Sequence, residues 1–275
     1  MLKLDAANKN IKVLVVEDIA LNQLLMKTLL DDFGFERDIA ANGKIAIEKL
    51  QHNSYDIILM DLQMPEMNGF EATDYIRNNM HSKIPIIALT ADVTTVDLGK
   101  CRDVGMNDYI AKPVNETILY AKIVGLVNKK TETTYNQPAS PAGRPEEIGL
   151  ITSKKTRYTD LSYLTGITKY DSKLMMEMIA LYLEQTPSLI NVMKKNMADE
   201  NLDSLHAAAH KLIPSFSIMG ISKDFETMTK RIQEYTGTPE QADVIKGLVA
   251  QLDNVCTQAC EELKEEYNTL KNTKA

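Results

Sequence analysis

The stretch IKVLVVED, residues 11–18, is a nearly unbroken apolar run that ends on two carboxylates. It is short and rich in β-branched side chains, so it reads as a strand buried on both faces. Such strands belong to parallel sheets covered by helices. Working outward, two runs of the same kind follow, YDIILMD (55–61) and IPIIALTA (84–91), and each closes on polar residues. Helical patterns separate them: ALNQLLMKTLLDDF (20–33), a segment around Lys44 to Gln51, and FEATDYIRNN (70–79). MNDYIAKPV adds a fifth strand just before Lys112. Strand alternating with helix implies right-handed βαβ units and a doubly wound parallel sheet.

Composition changes near residue 129. The segment KKTETTYNQPASPAGRPEEIGLITSKKTR (129–157) is rich in Thr, Pro, Lys and Glu, shows no periodicity, and reads as a linker. After it only helical patterns remain. One helix is expected near Ser172–Glu184. Thr186 is read as the N-cap of another, with Pro187 in its first position. Thr238, Pro239 and Gln241 are read as a capping box before a long apolar-periodic run. Four or more helices with short connections suggest an up-and-down bundle. The expected domains are therefore 11–128, a linker 129–157, and a helical bundle 158–270.

Bulk properties narrow the function. The 275 residues are 44% hydrophobic and 25% charged, enough for two globular cores. The net charge of −7 is shared between residues 1–130 (three negative charges) and the remainder (four), so neither half suits phosphate-dominated nucleic-acid binding. No apolar run approaches the roughly 20 residues that span a bilayer, and the N-terminal residues lack a secretory signal pattern. Three cysteines, Cys101, Cys256 and Cys260, fit a reducing compartment. Cys256 and Cys260 lie one helical turn apart without a second pair or a nearby histidine, which makes zinc there a poor reading. The chain is expected to be cytoplasmic, or a cytoplasmic piece of something larger.

In doubly wound sheets ligands sit at the carboxyl ends of the strands. Those ends carry Glu17, Asp18, Asp61, Thr90 and Lys112. Acidic residues at strand ends are often only solvated turn residues. Three carboxylates converging on one rim repel, however, unless a cation lies among them. Hard oxygen donors on an open rim suit Mg²⁺. A carboxylate-held Mg²⁺ is ready to accept a phosphoryl group, with Asp61 as nucleophile and Lys112 and the Thr90 hydroxyl on the remaining oxygens.

VEDIALN (16–22), MDLQMPEMNGFEATDYIR (60–77), IPIIALTA (84–91) and GMNDYIAKP (105–113) together resemble the four signatures of two-component receiver domains, in order and at family spacing. The resemblance covers about residues 11–128 and implies a flavodoxin-like five-stranded fold. It implies that Asp61 is the phospho-acceptor. Mg²⁺ would be bound by Asp18, Asp61 and the Gln63 backbone carbonyl, with Glu17 acting mainly through a metal-bound water. Thr90 and Tyr109 would be the switch positions, Lys112 the phosphoryl-contacting lysine, and Lys112–Pro113 a cis peptide.

The second half contains HAAAHKLIPSFSIMG (206–220). On a helix, Leu202, Leu205, Ala209 and Leu212 form the core-facing stripe, and His206 and His210 stack at its edge, partly exposed. A metal pair would need further ligands that no second cluster supplies, and Ala207 stands where HExxH needs glutamate. Two ordinary structural histidines would be the default for an isolated bundle. The segment AAAHKLIPSFSIMGI also resembles the active helix of histidine phosphotransfer domains, over about residues 158–270. That resemblance aligns His210 with the phospho-accepting histidine, with Ser215 and Gly220 also fitting and His206 a lesser candidate. Ile213 and Pro214 stand where the family has lysine and glycine. The cation moves to Lys211, expected to point elsewhere on the helix. Pro214 cannot donate to the His210 carbonyl and should kink a continuing helix, leaving that carbonyl to water or Ser217.

The expected function is a phosphorelay module, resembling the C-terminal part of a bacterial hybrid sensor histidine kinase. No ATP-binding region or dimerising helices are read, so autophosphorylation from ATP is not expected. Partners would be an upstream histidine kinase and a downstream receiver, with no nucleic acid. The other reading is an interaction switch, in which Asp61 phosphorylation alters partner binding by an inert bundle. Transcriptional regulation is a poor third, because no basic helix is present.

Overall fold

Each apolar run becomes a strand. The computed structural model describes residues 11–90, 95–128 and 157–272. Its first part runs β1 (Lys12–Val16), α1 (Ala20–Asp32), β2 (Glu36–Ala40), α2 (Gly43–His52), β3 (Ile57–Asp61), α3 (Gly69–Asn78), β4 (Ile86–Thr90), α4 (Thr95–Asp103), β5 (Asp108–Ala111) and α5 (Glu116–Asn128). The strands form one parallel sheet in the order β2-β1-β3-β4-β5, a flavodoxin-like topology. β3 and β4 are buried along their whole length, as expected for central strands under helices on both faces. β2 lacks such a run. Its sequence ERDIA forms an exposed edge, held by β1 through pairs from Lys12↔Glu36 to Val16↔Ala40.

Register decides where the chemistry goes. Val16 pairs with Met60, Asp61 with Leu89, and Thr90 with Ala111. The carboxyl ends of β1, β3, β4 and β5 therefore lie level. Glu17, Asp18, Asp61, Thr90 and Lys112 fall on one rim. The turn after β3 is pinned by a capping box: Asn68 Oδ1 accepts from Glu71 N (3.0 Å) while Asn68 N donates to Glu71 Oε2 (2.9 Å). Gly69 follows. A Cβ there would stand 2.2 Å from the Asp61 carbonyl oxygen.

The second part contains α6 (Ser162–Ile167), α7 (Ser172–Ala198), α8 (Leu202–Ile218), α9 (Lys223–Gln233) and α10 (Pro239–Asn272). α7 packs on α8 and α10, and α9 packs on α8 and α10, closing a ring of four helices. The Glu262 carboxylate ties the entering segment to α10, accepting from Tyr158 N and Thr159 N at 3.0 Å. The linker expected over 129–157 lies outside the described residues except for Arg157.

One helix reading needs correction. Thr186 and Pro187 do not start a helix, because α7 runs through them without a break. Met178, Ile179, Tyr182, Thr186, Ile190 and Met193 form one buried stripe across the proline. Pro187 itself is exposed. Burial of the stripe outweighs the roughly 3 kcal/mol that an interior proline costs. α8 likewise continues through Pro214. α10 does begin at Pro239.

Gly220 ends α8 with φ +64°, and a Cβ there would lie 1.9 Å from the Asp160 carbonyl oxygen. Gly220→Ala is expected to destabilise the bundle by about 2 kcal/mol or more, from the left-handed backbone and the overlap together. Thermal unfolding followed by circular dichroism checks this. An unchanged midpoint would contradict the steric assignment.

The two parts share one apolar cluster, which runs from the α1 side of the sheet into the bundle. α1 packs against α7 and α8. Leu25, Met26, Val114, Pro214 and Ile218 line a narrow apolar seam between them. Polar contacts flank it: Tyr163 Oη donates to the Val114 carbonyl (3.1 Å), and Lys169 Nζ pairs with Asp32 Oδ1 (2.7 Å). Among the described residues no helix is long and apolar enough to cross a membrane.

Candidate functional site

The rim is built from strand ends and closed by one lysine. Lys112 leaves β5 through the cis Lys112–Pro113 peptide. Its Nζ donates to Glu17 Oε2 at 2.8 Å and to Asp61 Oδ2 at 2.6 Å. Glu17 Oε1 accepts from Asn22 Nδ2 at 3.0 Å and from Ile19 N at 3.2 Å, and Gln63 N donates to Asp61 Oδ1 at 3.2 Å. Glu17, Asp61 and Thr90 are all buried.

Burial raises the Glu17 pKa, and the Lys112 charge beside it only partly offsets that. Burial pulls the Lys112 pKa down, but the charges of Asp61 and Glu17 more than compensate, so it stands above the ordinary lysine value.

Asp18 completes the cluster. One carboxylate oxygen from each of Glu17, Asp18 and Asp61 lies within 4.8 Å of the others. Asp18 Oδ1 is buried without a hydrogen-bond partner. Three hard oxygen donors, one of them unengaged, fit a magnesium-type ion. Tyr109, within β5 opposite Ala88, is exposed, with Lys122 Nζ 5.1 Å from its ring centroid. Thr90 closes β4, its carbonyl accepting from Lys112 N at 2.7 Å.

The bundle covers this rim. His210 was expected to be partly exposed; it is 7% exposed, because α8 lies against the first domain. Its Nε2 is buried and has no hydrogen-bond partner. Its Nδ1 makes a long 3.5 Å contact with Gln233 Nε2, which also reaches Gln63 Oε1 at 3.1 Å. His206 is turned away, its Nε2 2.7 Å from the Tyr235 carbonyl oxygen. Lys211 points at the rim, with Nζ 2.7 Å from Asp18 Oδ2 but outside hydrogen-bond alignment. The sequence reading missed Gln233, Tyr163 and Lys169. They owe their places to docking between segments far apart in the chain, which no local pattern records.

Burial lowers the His210 pKa to about 4, and the positive charge of Lys112 adds to this against the pull of Glu17 and Asp18. The docked imidazole is therefore neutral near pH 7. An undocked His210 titrates near 6.5. Above that value neither state takes a proton and docking is at full strength. As pH falls from about 6.5 toward 4 only the undocked state is protonated, so docking weakens up to about tenfold per unit. Small-angle scattering should show the radius of gyration rising over that window in wild type. His210→Gln should lack this component. Identical pH profiles would contradict it.

A doubly wound parallel sheet with a lysine-bridged acidic rim at its carboxyl edge, capped by a helical bundle, defines the class: an α/β domain joined to an all-α partner. Residues 13–124 match the response regulator receiver domain family, and this part of the chain belongs to it.

Among similar proteins, hybrid signal transduction histidine kinase B of Dictyostelium discoideum is 41% identical over 125 residues, which are 41% of this chain and 6% of that protein. Aerobic respiration control sensor protein ArcB of Escherichia coli O157:H7 is 28% identical over 260 residues, 94% of this chain and 30% of that one. This second likeness extends past the receiver into the helical part. A solved receiver domain of a Pseudomonas aeruginosa sensor histidine kinase, with magnesium in its active-site cleft, is 35% identical at a TM-score of 0.41. It spans 43% of this chain and 98% of that one. The chain spans less than a third of the length of the curated relatives it matches.

Proposed function

We propose that the chain is a phosphorelay protein in which a phosphoryl group passes from Asp61 of the receiver to His210 of the bundle. The observation that carries this reading is the neutral, buried His210 held against the acidic rim with Nε2 unpartnered. A buried polar nitrogen without a partner is costly unless something is meant to reach it.

In this reading Asp61 takes the phosphoryl group from an upstream kinase histidine. Asp18, Asp61 and the Gln63 carbonyl would hold Mg²⁺, with Glu17 as the third carboxylate beside it. The ion supplies charge neutralisation for an in-line displacement. Lys112, already within 2.6 Å of Asp61 Oδ2, and the Thr90 hydroxyl hold the phosphoryl oxygens. Thr90 and Tyr109 change position with phosphorylation. The His210 Nε2 lone pair then attacks phosphorus. As that bond forms, the bond from phosphorus to the Asp61 oxygen breaks and its electron pair returns to the carboxylate. A second receiver removes the phosphoryl group from His210.

The domains are 11–128 and 158–270, joined by 129–157. Three buried, free thiols suit a reducing cytoplasm.

The test incubates the purified chain with Mg²⁺ and acetyl phosphate and maps the label. Acid-labile, base-stable phosphate on His210 is expected. His210→Gln should retain only the base-labile acyl phosphate on Asp61. Label confined to Asp61 in wild type would defeat the internal relay and favour an interaction switch.

A further inference from the structure

The charge at the rim depends on what docks there. Three carboxylates against the single ammonium of Lys112 leave the isolated rim with two net negative charges. Docking brings a second ammonium, Lys211, to 2.7 Å from Asp18 Oδ2. The Asp18 side chain is only 4% exposed in that arrangement, so water screens the pair poorly. Asp18 is also a carboxylate expected to hold Mg²⁺ directly, through the Oδ1 that has no partner here. An ion on Oδ1 would lie a few ångströms from the Lys211 ammonium, and the two positive charges would repel across the buried Asp18 carboxylate.

We propose that Lys211 makes docking of the bundle sensitive to the charge state of the rim, opposing Mg²⁺ in the unphosphorylated receiver and tolerating it in the phosphorylated one. The inference rests on the reading above, in which the rim holds Mg²⁺ and Asp61 takes phosphate. Charge counting sets the direction. The metal-free rim is negative and attracts Lys211. The Mg²⁺-loaded, unphosphorylated rim is neutral, and Lys211 would leave it positive. A phosphoryl group adds about one further negative charge at Asp61, so the loaded, phosphorylated rim is negative again and Lys211 neutralises it. The bundle is thus held while a phosphoryl group waits on Asp61 and released after it has left.

This gives the departures on α8 a physical reason. Ile213 and Pro214, at the third and fourth positions after His210, are both buried, and Pro214 lines the apolar seam against Leu25, Met26 and Val114. A lysine in that surface would be desolvated without a partner. One residue after the histidine, the cation reaches Asp18 instead.

The test is Mg²⁺ binding itself, by isothermal titration calorimetry on the full chain. Lys211→Met keeps the length of the side chain and removes its charge; Lys211→Arg keeps the charge. Lys211 is a partly exposed helix residue, so both should fold. Lys211→Met is expected to bind Mg²⁺ about fivefold more tightly than wild type, or better, the range of an ordinary coupling between two sites. Lys211→Arg should stay near wild type. By the same linkage, Mg²⁺ should raise the radius of gyration of wild type and not that of Lys211→Met, and beryllofluoride added with Mg²⁺ should reverse the wild-type change. Equal Mg²⁺ affinity in wild type and Lys211→Met would overturn the role of Lys211 and leave the relay intact. Absence of Mg²⁺ binding in every variant would instead overturn the metal reading of the rim.

Discussion

Asp61→Asn is expected to leave His210 without phosphate. With Mg²⁺ and acetyl phosphate, phosphohistidine in this variant is expected to fall at least about a hundredfold below wild type, because a carboxamide oxygen is a far weaker nucleophile than a carboxylate. The substitution changes little else. Asparagine keeps the shape of the side chain and can still accept from Gln63 N through its amide oxygen, as Asp61 does at 3.2 Å. Lys112 loses one of its two carboxylate partners but keeps Glu17 at 2.8 Å. Glu17 is in turn relieved of the repulsion from Asp61 that helps to raise its pKa. The fold should therefore survive, and circular dichroism can verify that. Phosphohistidine persisting in folded Asp61→Asn would mean that His210 is labelled directly, and the internal route would be lost.

The second large effect comes from a residue with no functional group. Gly69→Ala is expected to destabilise the receiver by about 3 kcal/mol and to reduce phosphorylation of Asp61 in the molecules that remain folded. The new Cβ would meet the Asp61 carbonyl oxygen at 2.2 Å and the Leu62 Cα at 3.0 Å. Both are backbone atoms and cannot rotate away. Gly69 N also donates to the Leu62 carbonyl at 3.1 Å, so the turn cannot open without losing that bond. Relief must come from moving the end of β3, the strand that aims Asp61 at Lys112. Urea denaturation measures the first effect and acetyl phosphate labelling at matched folded fraction the second. A variant with wild-type stability and labelling would refute the close approach.

The legibility of the fold followed burial. β1, β3 and β4 are buried strands and announce themselves as apolar runs. β2 is an exposed edge whose charged residues serve pairing and solvent, and no apolar run betrays it. The rim was legible because Glu17, Asp18, Asp61, Thr90 and Lys112 stand at the ends of such runs, and in-register parallel pairing brings strand ends together. Pro187 misled, since the rule that starts helices at proline is local and the buried stripe through Tyr182 and Ile190 is not. The burial of His210 and the partner of Lys211 were beyond reach for a different reason. Both depend on one domain lying against another, and nothing in the neighbourhood of residue 210 encodes the surface of α1.

The seam between α1 and α8 also bears on signal fidelity. The surface that receives the bundle includes the approach to Asp61, so in the relay reading a kinase delivering phosphate would have to take the place of the bundle. A rival already tethered nearby is hard to displace. Being part of the same chain, the bundle would compete at about millimolar effective concentration. A docking contact of about 10 µM intrinsic strength would then raise the apparent dissociation constant of any incoming kinase about a hundredfold. A dedicated kinase, presented at high local concentration, can meet that requirement. A stray kinase with a passable fit cannot. In the relay reading, the docked bundle would shield the receiver from crosstalk, and a Mg²⁺-loaded, unphosphorylated rim would lower that shield for the kinase.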